Sequence, residues 1–372
     1  MGFRDEALAA AMREPDPGSL AAGERLRRDF GVDDAAWALG QVALRRKGRS
    51  KFSRADEMLF TRDGLEQASR QAVARWRAAR FVAAGVTEVW DLGCGIGADS
   101  MAFAEAGLRV VAVDADPATA EVAAHNLALV GGGEARVGLA EEQRLPDGAA
   151  VFLDPARRTA RGRTWQVADF TPPWEFVLDA LASERFVCVK LAPGVPKELI
   201  PQGARSGWVS EHGDVVEATL WNRLPVGVEA VVLPHELEGP AERDLDVAPV
   251  GGYVIEPDGA VIRAGLISEV APGQPLWLLD PHTAYLSSDE PVDSPFATTF
   301  AVDSVLPFDV RAVRRYVAEG GIGTLEIKKR AIDVDPAALR RQLRPKGKAA
   351  ATLILARTVE GTKAIFAHRV RR

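Results

Sequence analysis

The chain has 372 residues, long enough for two or three domains with cores of their own. Its 47% apolar and 26% charged content is that of a globular protein, and its two cysteines, Cys94 and Cys188, support neither a disulfide framework nor a zinc site, so no metal is expected. The net charge of -6 is unevenly spread, with 16 basic and 12 acidic side chains in residues 1–84, 14 and 35 in 85–310, and 16 and 5 in 311–372; this excludes a uniformly basic surface but leaves a basic last sixth suited to a polyanion.

The opening Met1-Gly-Phe-Arg-Asp-Glu6 lacks an apolar signal core and breaks the myristoylation pattern, and no apolar run approaches the ~20 residues of a membrane span, so a cytoplasmic protein is expected. Residues 1–84 read as mostly helical. Leu8, Ala11 and Met12, and later Leu65, Ala68, Ala72, Val73 and Trp76, recur at helical spacing and mark packed faces. Between them, Arg45-Arg-Lys-Gly-Arg-Ser-Lys-Phe-Ser-Arg54 is basic with one aromatic. Two readings fit it: a solvated loop ahead of a helix, or a phosphate-binding loop that stacks a base on Phe52. A helix over 64–82 should then run directly into the first strand.

That strand is Glu88-Val-Trp-Asp-Leu92, followed by Gly93, Gly95 and Gly97 and a helical pattern from about Asp99. A strand, a glycine loop and a helix let a ligand lie against bare backbone, which suits either a dinucleotide or S-adenosylmethionine (SAM). A dinucleotide turn needs G-x-G-x-x-G so that pyrophosphate rests on the helix N-terminus. Here the spacing is G-x-G-x-G with Asp91 two residues ahead, which favours a cationic ligand, the ammonium of SAM. Arg109-Val-Val-Ala-Val-Asp114 adds a second buried strand ending in an acid that can accept both ribose hydroxyls.

Through Asp91-Leu-Gly-Cys-Gly-Ile-Gly97 and Val113-Asp-Ala-Asp116, residues 81–224 resemble class I SAM-dependent methyltransferases. The resemblance implies a Rossmann-like α/β domain with cofactor contacts from Asp91, Gly93, Cys94, Gly95, Gly97, Asp114 and Ala115. Asp116 and Pro117 signal the start of the next helix, and Gly131-Gly-Gly133 its end. After strand 135–137, where many class I enzymes carry an acid facing adenine, this chain has Leu139, with Glu141 and Glu142 just beyond. Alternating strands and helices predict a parallel doubly wound sheet with its ligand at the strands' carboxyl ends.

The fourth strand ends in Asp154-Pro-Ala-Arg157, followed by Arg158. Base-modifying class I enzymes often have Asp or Asn, two prolines and an aromatic here, holding an exocyclic amine in line with the methyl. The resemblance gives Asp154 and Pro155 that role, although the second proline and the aromatic are absent. Arg157 and Arg158 can bind phosphate or stack on bases. Pro172-Pro-Trp174 either supplies the missing aromatic or, the preferred reading, opens a helix with Trp174 in the core. Lys190 is the one charge in the apolar strand Phe186-Val-Cys-Val-Lys-Leu191 and is expected in the cleft. Segments 208–210 and 215–221 suggest an antiparallel pair carrying Glu217. Asp154, Lys190 and Glu217, with Lys51 as a candidate first lysine, resemble the Lys-Asp-Lys-Glu set of ribose 2′-O-methyltransferases, in which a lysine of lowered pKa helps deprotonate the hydroxyl.

Segment 230–233 is a candidate last strand of the catalytic sheet, and beyond Gly239 short strands and helices alternate as in an α+β domain. Glu256-Pro-Asp258 and Leu325-Glu-Ile-Lys-Lys-Arg330 resemble the THUMP-like domain of a group of bacterial class I methyltransferases. Three regions are therefore expected: a helical region 1–84, a class I methyltransferase domain 85–239 and a THUMP-like domain 240–372. The resemblance implies RNA, tRNA or rRNA, as the substrate. Lys328, Lys329, Arg330, Arg340, Arg341, Arg344, Lys346 and Lys348 supply a basic surface for it. A base nitrogen, guanine N2 by distant similarity to the cap-guanine N2 methyltransferases, is the expected acceptor. A ribose hydroxyl, a small metabolite, or no catalysis at all in a SAM-retaining RNA binder are the alternatives.

Overall fold

The computed structural model describes residues 3–157, 169–240 and 244–370. The chain divides into two compact units, one of residues 1–205 and 218–226, the other of 206–217 and 227–372. None of the described helices is long and apolar enough to cross a membrane.

The first unit opens with α1 (Phe3–Arg13) and α2 (Leu20–Gly48), packed together through Ala7, Leu8, Ala11, Leu26, Ala35, Ala38 and Val42. Ser19 caps α2 with its hydroxyl on the Ala22 amide, and Gly31 interrupts the helix with a φ of 81°. The helix expected over 64–82 is two helices, α3 (Arg62–Gln67) and α4 (Gln71–Ala83), parted by the extended Ala68.

Next come β1 (Glu88–Leu92), α5 (Ala98–Glu105), β2 (Arg109–Asp114), α6 (Pro117–Ala128), β3 (Glu134–Val137) and β4 (Ala150–Leu153). The short β5 (Ala156–Arg157) and β6 (Phe170–Thr171) pair antiparallel. They are followed by α7 (Trp174–Ala182), β7 (Val187–Leu191), β8 (Arg205–Glu211) and β9 (Asp214–Trp221). Within this unit β7, β4, β1, β2 and β3 are neighbours in that order and all parallel, and residues 218–221 of β9 add antiparallel to β7. This is the expected doubly wound sheet. Strand sequences such as Val110-Val-Ala-Val113 are apolar at every position because both faces are covered. Phe81, Phe103, Phe152 and Trp221 fill the core on one face. On the α3 side, Phe52, Met58, Phe60, Leu65, Ile96 and Met101 form a second cluster under the glycine loop.

The second unit contains most of β8, the start of β9, and β10 (Val228–Val232) and β11 (His235–Gly239). β8 and β10 pair parallel, and β10 and β11 form a hairpin. Residues 206–217 and 227–239 are part of this unit, in which α8 (Gly259–Ala264) packs on β10. A seven-stranded sheet follows from β12 (Tyr253–Pro257), β13 (Trp277–Leu278), β14 (Leu286–Ser288), β15 (Ala297–Pro307), β16 (Ile322–Arg330), β17 (Ala349–Thr358) and β18 (Gly361–Arg369), in the order β13-β14-β12-β15-β18-β17-β16. Helices α9 (Val310–Glu319) and α10 (Pro336–Leu343) cover it through Val313, Val317, Leu339 and Leu343.

Candidate functional site

The loop between β1 and α5 is built on positive φ angles at Gly93, Gly95 and Gly97 of 88°, 55° and 79°. At Gly97 space is tight as well: a Cβ there would lie 3.3 Å from the Ala123 backbone of α6, whereas one on Gly93 would meet the Asp154 carbonyl oxygen at an ordinary 3.5 Å. The amides of Gly93 and Cys94 both donate to the Val113 carbonyl, at 2.8 and 3.0 Å, which ties the loop to the end of β2.

Asp91 is completely buried. Ser100, in the first turn of α5, donates its hydroxyl to Oδ2, while Oδ1 has no hydrogen-bond partner. Burial pushes the Asp91 pKa up to about 7; the Ser100 hydrogen bond opposes this and the Asp154 charge adds to it. An orphaned carboxylate oxygen beneath a glycine loop suits a cation, as the ammonium of SAM requires. Asp114 accepts from the Gly95 amide on Oδ2 and the Asp116 amide on Oδ1, both at 3.0 Å. Each of its oxygens keeps a second lone pair for a hydroxyl. Burial raises its pKa despite those amides. Ala115 is exposed beside it. The Cys94 thiol is half-buried and held well above its usual range by burial and by Asp91 and Asp114, so it is an inert wall. The residues present therefore fit SAM. Leu139 beyond β3 is 39% exposed, an apolar side chain where many class I enzymes place an acid.

Beside the loop, at the end of β4, Asp154 accepts from Lys190 Nζ at 2.6 Å, and the same ammonium donates to the Gln67 carbonyl at 3.3 Å. Lys51 Nζ donates to the carbonyls of Leu65, Glu66 and Ala68 at 2.8, 3.0 and 3.0 Å. Two ammonium groups thus grip the carbonyl end of α3. Burial, then the Lys190, Arg70 and Lys47 charges, bring the Lys51 pKa down to about 8. Glu217 is buried and lies in the second unit's share of β9.

Other sequence expectations land elsewhere. Arg45 to Gly48 close α2 rather than forming a loop, with Arg45 donating to the Met58 and Glu57 carbonyls. Phe52 is buried against Phe60, so it stacks no base; the apolar pocket under the glycine loop captures it. Trp174 is buried against Phe170, in keeping with a helix opened by proline. Arg157 lies in β5, and Arg158 falls outside the described residues.

In the second unit, Lys328 on β16 pairs with Glu256 at 2.7 Å and Arg330 pairs with it at 3.6 Å. Both line an open cavity of about 1130 Å³ with Arg369, Thr298 and Thr299. Lys329 points away from them by strand alternation and is exposed. Sequence reasoning missed Ser100, whose only signal was its place three residues after Gly97. It also missed Arg311 and Arg314, whose signal was their spacing of three on the amphipathic α9.

Residues 90–152 match the methyltransferase-domain family and residues 297–369 the THUMP domain-like family. The fold is similar to a crystal structure of a candidate methyltransferase from Porphyromonas gingivalis, with a TM-score of 0.76 at 19% identity, covering 99% of this chain and 98% of that one. Proteins from two strains of Mycobacterium tuberculosis, each described as an uncharacterized S-adenosylmethionine-dependent methyltransferase, are 34% identical over 353 residues, 91% of this chain and 96% of theirs. With that identity sustained along almost the whole chain, and a glycine loop and two acids suited to the cofactor, the protein belongs to the S-adenosylmethionine-dependent methyltransferases and carries a THUMP-like domain.

Proposed function

We propose that this methyltransferase modifies structured RNA, tRNA or rRNA, at a base nitrogen. The observation that carries the reading is the Asp154-Pro155 turn beside Gly93, in a chain whose other end matches the THUMP domain-like family. In this assignment residues 85–239 hold the reaction and 240–372 capture the RNA. Asp91 Oδ1 receives the ammonium of SAM, the Gly93 to Gly97 backbone lies along it, and Asp114 takes the ribose hydroxyls. SAM bound there supplies an electrophilic methyl group. Asp154 has Oδ1 and its carbonyl left to accept from an amine, with Oδ2 held by Lys190. A base nitrogen so held needs little beyond alignment, since near-attack positioning provides much of the rate. Arg157, Arg158, Lys328, Lys329 and Arg330 are assigned to the RNA.

A second reading, the ribose 2′-hydroxyl, is favoured by one observation, the lowered pKa of Lys51 close to Lys190 and Asp154. Incubating the protein with methyl-labelled SAM and total RNA from a strain lacking it, followed by nucleoside mass spectrometry, separates the two. Label on a base supports the first reading and label on ribose the second. No label despite tight SAM binding overturns both, in favour of a small-molecule acceptor or a non-catalytic RNA binder. Asp154→Ala should abolish turnover and leave SAM affinity intact.

A further inference from the structure

Four cations of the second unit are matched by acids. Lys328 and Arg330 share Glu256, Arg357 pairs with Asp280 at 2.9 Å, and Lys363 pairs with Glu360 at 3.2 Å. The α9 and α10 helices differ. Between them runs an open groove of about 480 Å³ lined by Val310, Arg311, Arg314, Ala338, Arg341, Gln342 and Arg344. Four guanidinium groups line it and no carboxylate does. All four arginines are exposed, and among the described residues none is within ion-pair distance of an acid.

The local folding explains the arrangement. Val313 and Val317 of α9 and Leu339 and Leu343 of α10 are buried, which turns Arg311 with Arg314, and Arg341 with Arg344, to the outside at spacings of three. Asp335, the N-cap of α10, feels the Arg341 charge without forming an ion pair with it, and its Oδ1 accepts from the Ala337 and Ala338 amides. Asp309 at the start of α9 is likewise taken by the Ala312 amide. Four like charges facing one groove add up to a local positive potential that attracts an anion. Guanidinium groups bind phosphate oxygens in a planar, two-point fashion that ammonium groups cannot reproduce. Only Val310 and Ala338 offer apolar surface, too little to hold an apolar ligand.

We infer that the α9–α10 groove is the main phosphate-binding track for RNA, with Arg311, Arg314, Arg341 and Arg344 each taking backbone phosphate. This rests on the RNA reading above and adds to it, since the β16 cations are largely neutralised by Glu256. The track positions RNA and reads no sequence.

The test uses the full chain and fluorescein-labelled bulk tRNA, titrated between ~50 and ~200 mM salt. The variant is Arg311→Gln, Arg314→Gln, Arg341→Gln and Arg344→Gln combined, and a second variant places Lys at the same four positions. The glutamine variant should bind at least about tenfold more weakly, with its log-log salt slope shallower by about 3, at ~0.7 to 0.9 per lost phosphate contact. The lysine variant should keep the slope. SAM affinity and the thermal midpoint should match the parent in both variants, which shows that the fold is intact. If the parent binds tRNA and the glutamine variant binds it equally, the groove is not the track and the RNA reading survives. If the parent does not bind tRNA even at low salt, the RNA reading and this inference both fall.

Discussion

A carboxylic acid held near pKa 7 becomes an anion when a cation arrives, and Asp91 is placed to do so. The folded protein keeps a proton there that the unfolded chain loses near pH 4, so stability falls as pH rises from about 4 to about 7 and is flat above that. The cost on the alkaline side is roughly 4 kcal/mol. Asp91→Asn should therefore raise the thermal midpoint of the ligand-free protein at pH 8 and flatten its dependence on pH, while weakening SAM. In the parent, SAM affinity should drop about tenfold for each pH unit below 7, since the ammonium needs the ionised acid. Calorimetry showing constant affinity from pH 5.5 to 8 would separate Asp91 from the ammonium. Lys51 provides the second titration, with a pKa of about 8. If it assists deprotonation of a ribose hydroxyl, single-turnover methyl transfer should climb with pH through 8, and Lys51→Met should remove that climb. Transfer to a base nitrogen should show no such limb. The positions of Asp91 and Asp114 at the ends of β1 and β2 were legible because the apolar runs and the glycine spacing place them. The carbonyl cage of Lys51 was not, because it depends on how α3 ends, which no local pattern encodes.

Among the elements, α4 and α5 are joined by a buried charge pair. Arg77 is fully buried, bonds to Asp99 through Nη1 and lies over the Phe152 ring at 4.6 Å, while Ser69 donates to the other Asp99 oxygen at 2.7 Å. Removing one partner strands the other charge in the core, so Asp99→Ala should cost about 3 to 5 kcal/mol in urea unfolding. A double change to apolar residues should recover much of it. Because Asp99 sits in the first turn after Gly97, the same variant should loosen the cofactor loop and slow SAM capture. The β1 loop and β2 were readable as elements because burial on both faces leaves continuous apolar runs. Segment 45–54 was not: its composition is that of a loop, yet the end of α2 and the pocket around Phe60 claim Arg45 and Phe52. Tertiary packing overrode the local signal there.

For the whole molecule, the charge imbalance seen in the sequence ends as Lys328 and Arg330 paired on β16 and Arg311, Arg314, Arg341 and Arg344 without ion pairs on α9 and α10, a distinction of neighbours that composition cannot convey. The methyltransferase sheet and the α+β end were legible in the sequence, and so was segment 230–233 as a strand, seen as β10. The packing of α8 on β10 was not, since no local pattern says which strand a helix will cover. Ala260, Val261 and Ala264 of α8 are all buried. A fragment beginning at residue 240 lacks β10 and should expose them. It is therefore expected to bind a hydrophobic dye and to lack a cooperative melt, whereas the full chain should melt cooperatively.

The backbone passes from one compact unit to the other three times, after residues 205, 217 and 226. A single genetic joint could not have brought the two together in their present form, nor could one separate them. Exchange of the half that carries the THUMP-like domain with that of another enzyme would require a graft at several places at once. Variation in this architecture should therefore accumulate by substitutions on exposed helices and loops, while the halves are inherited as one piece.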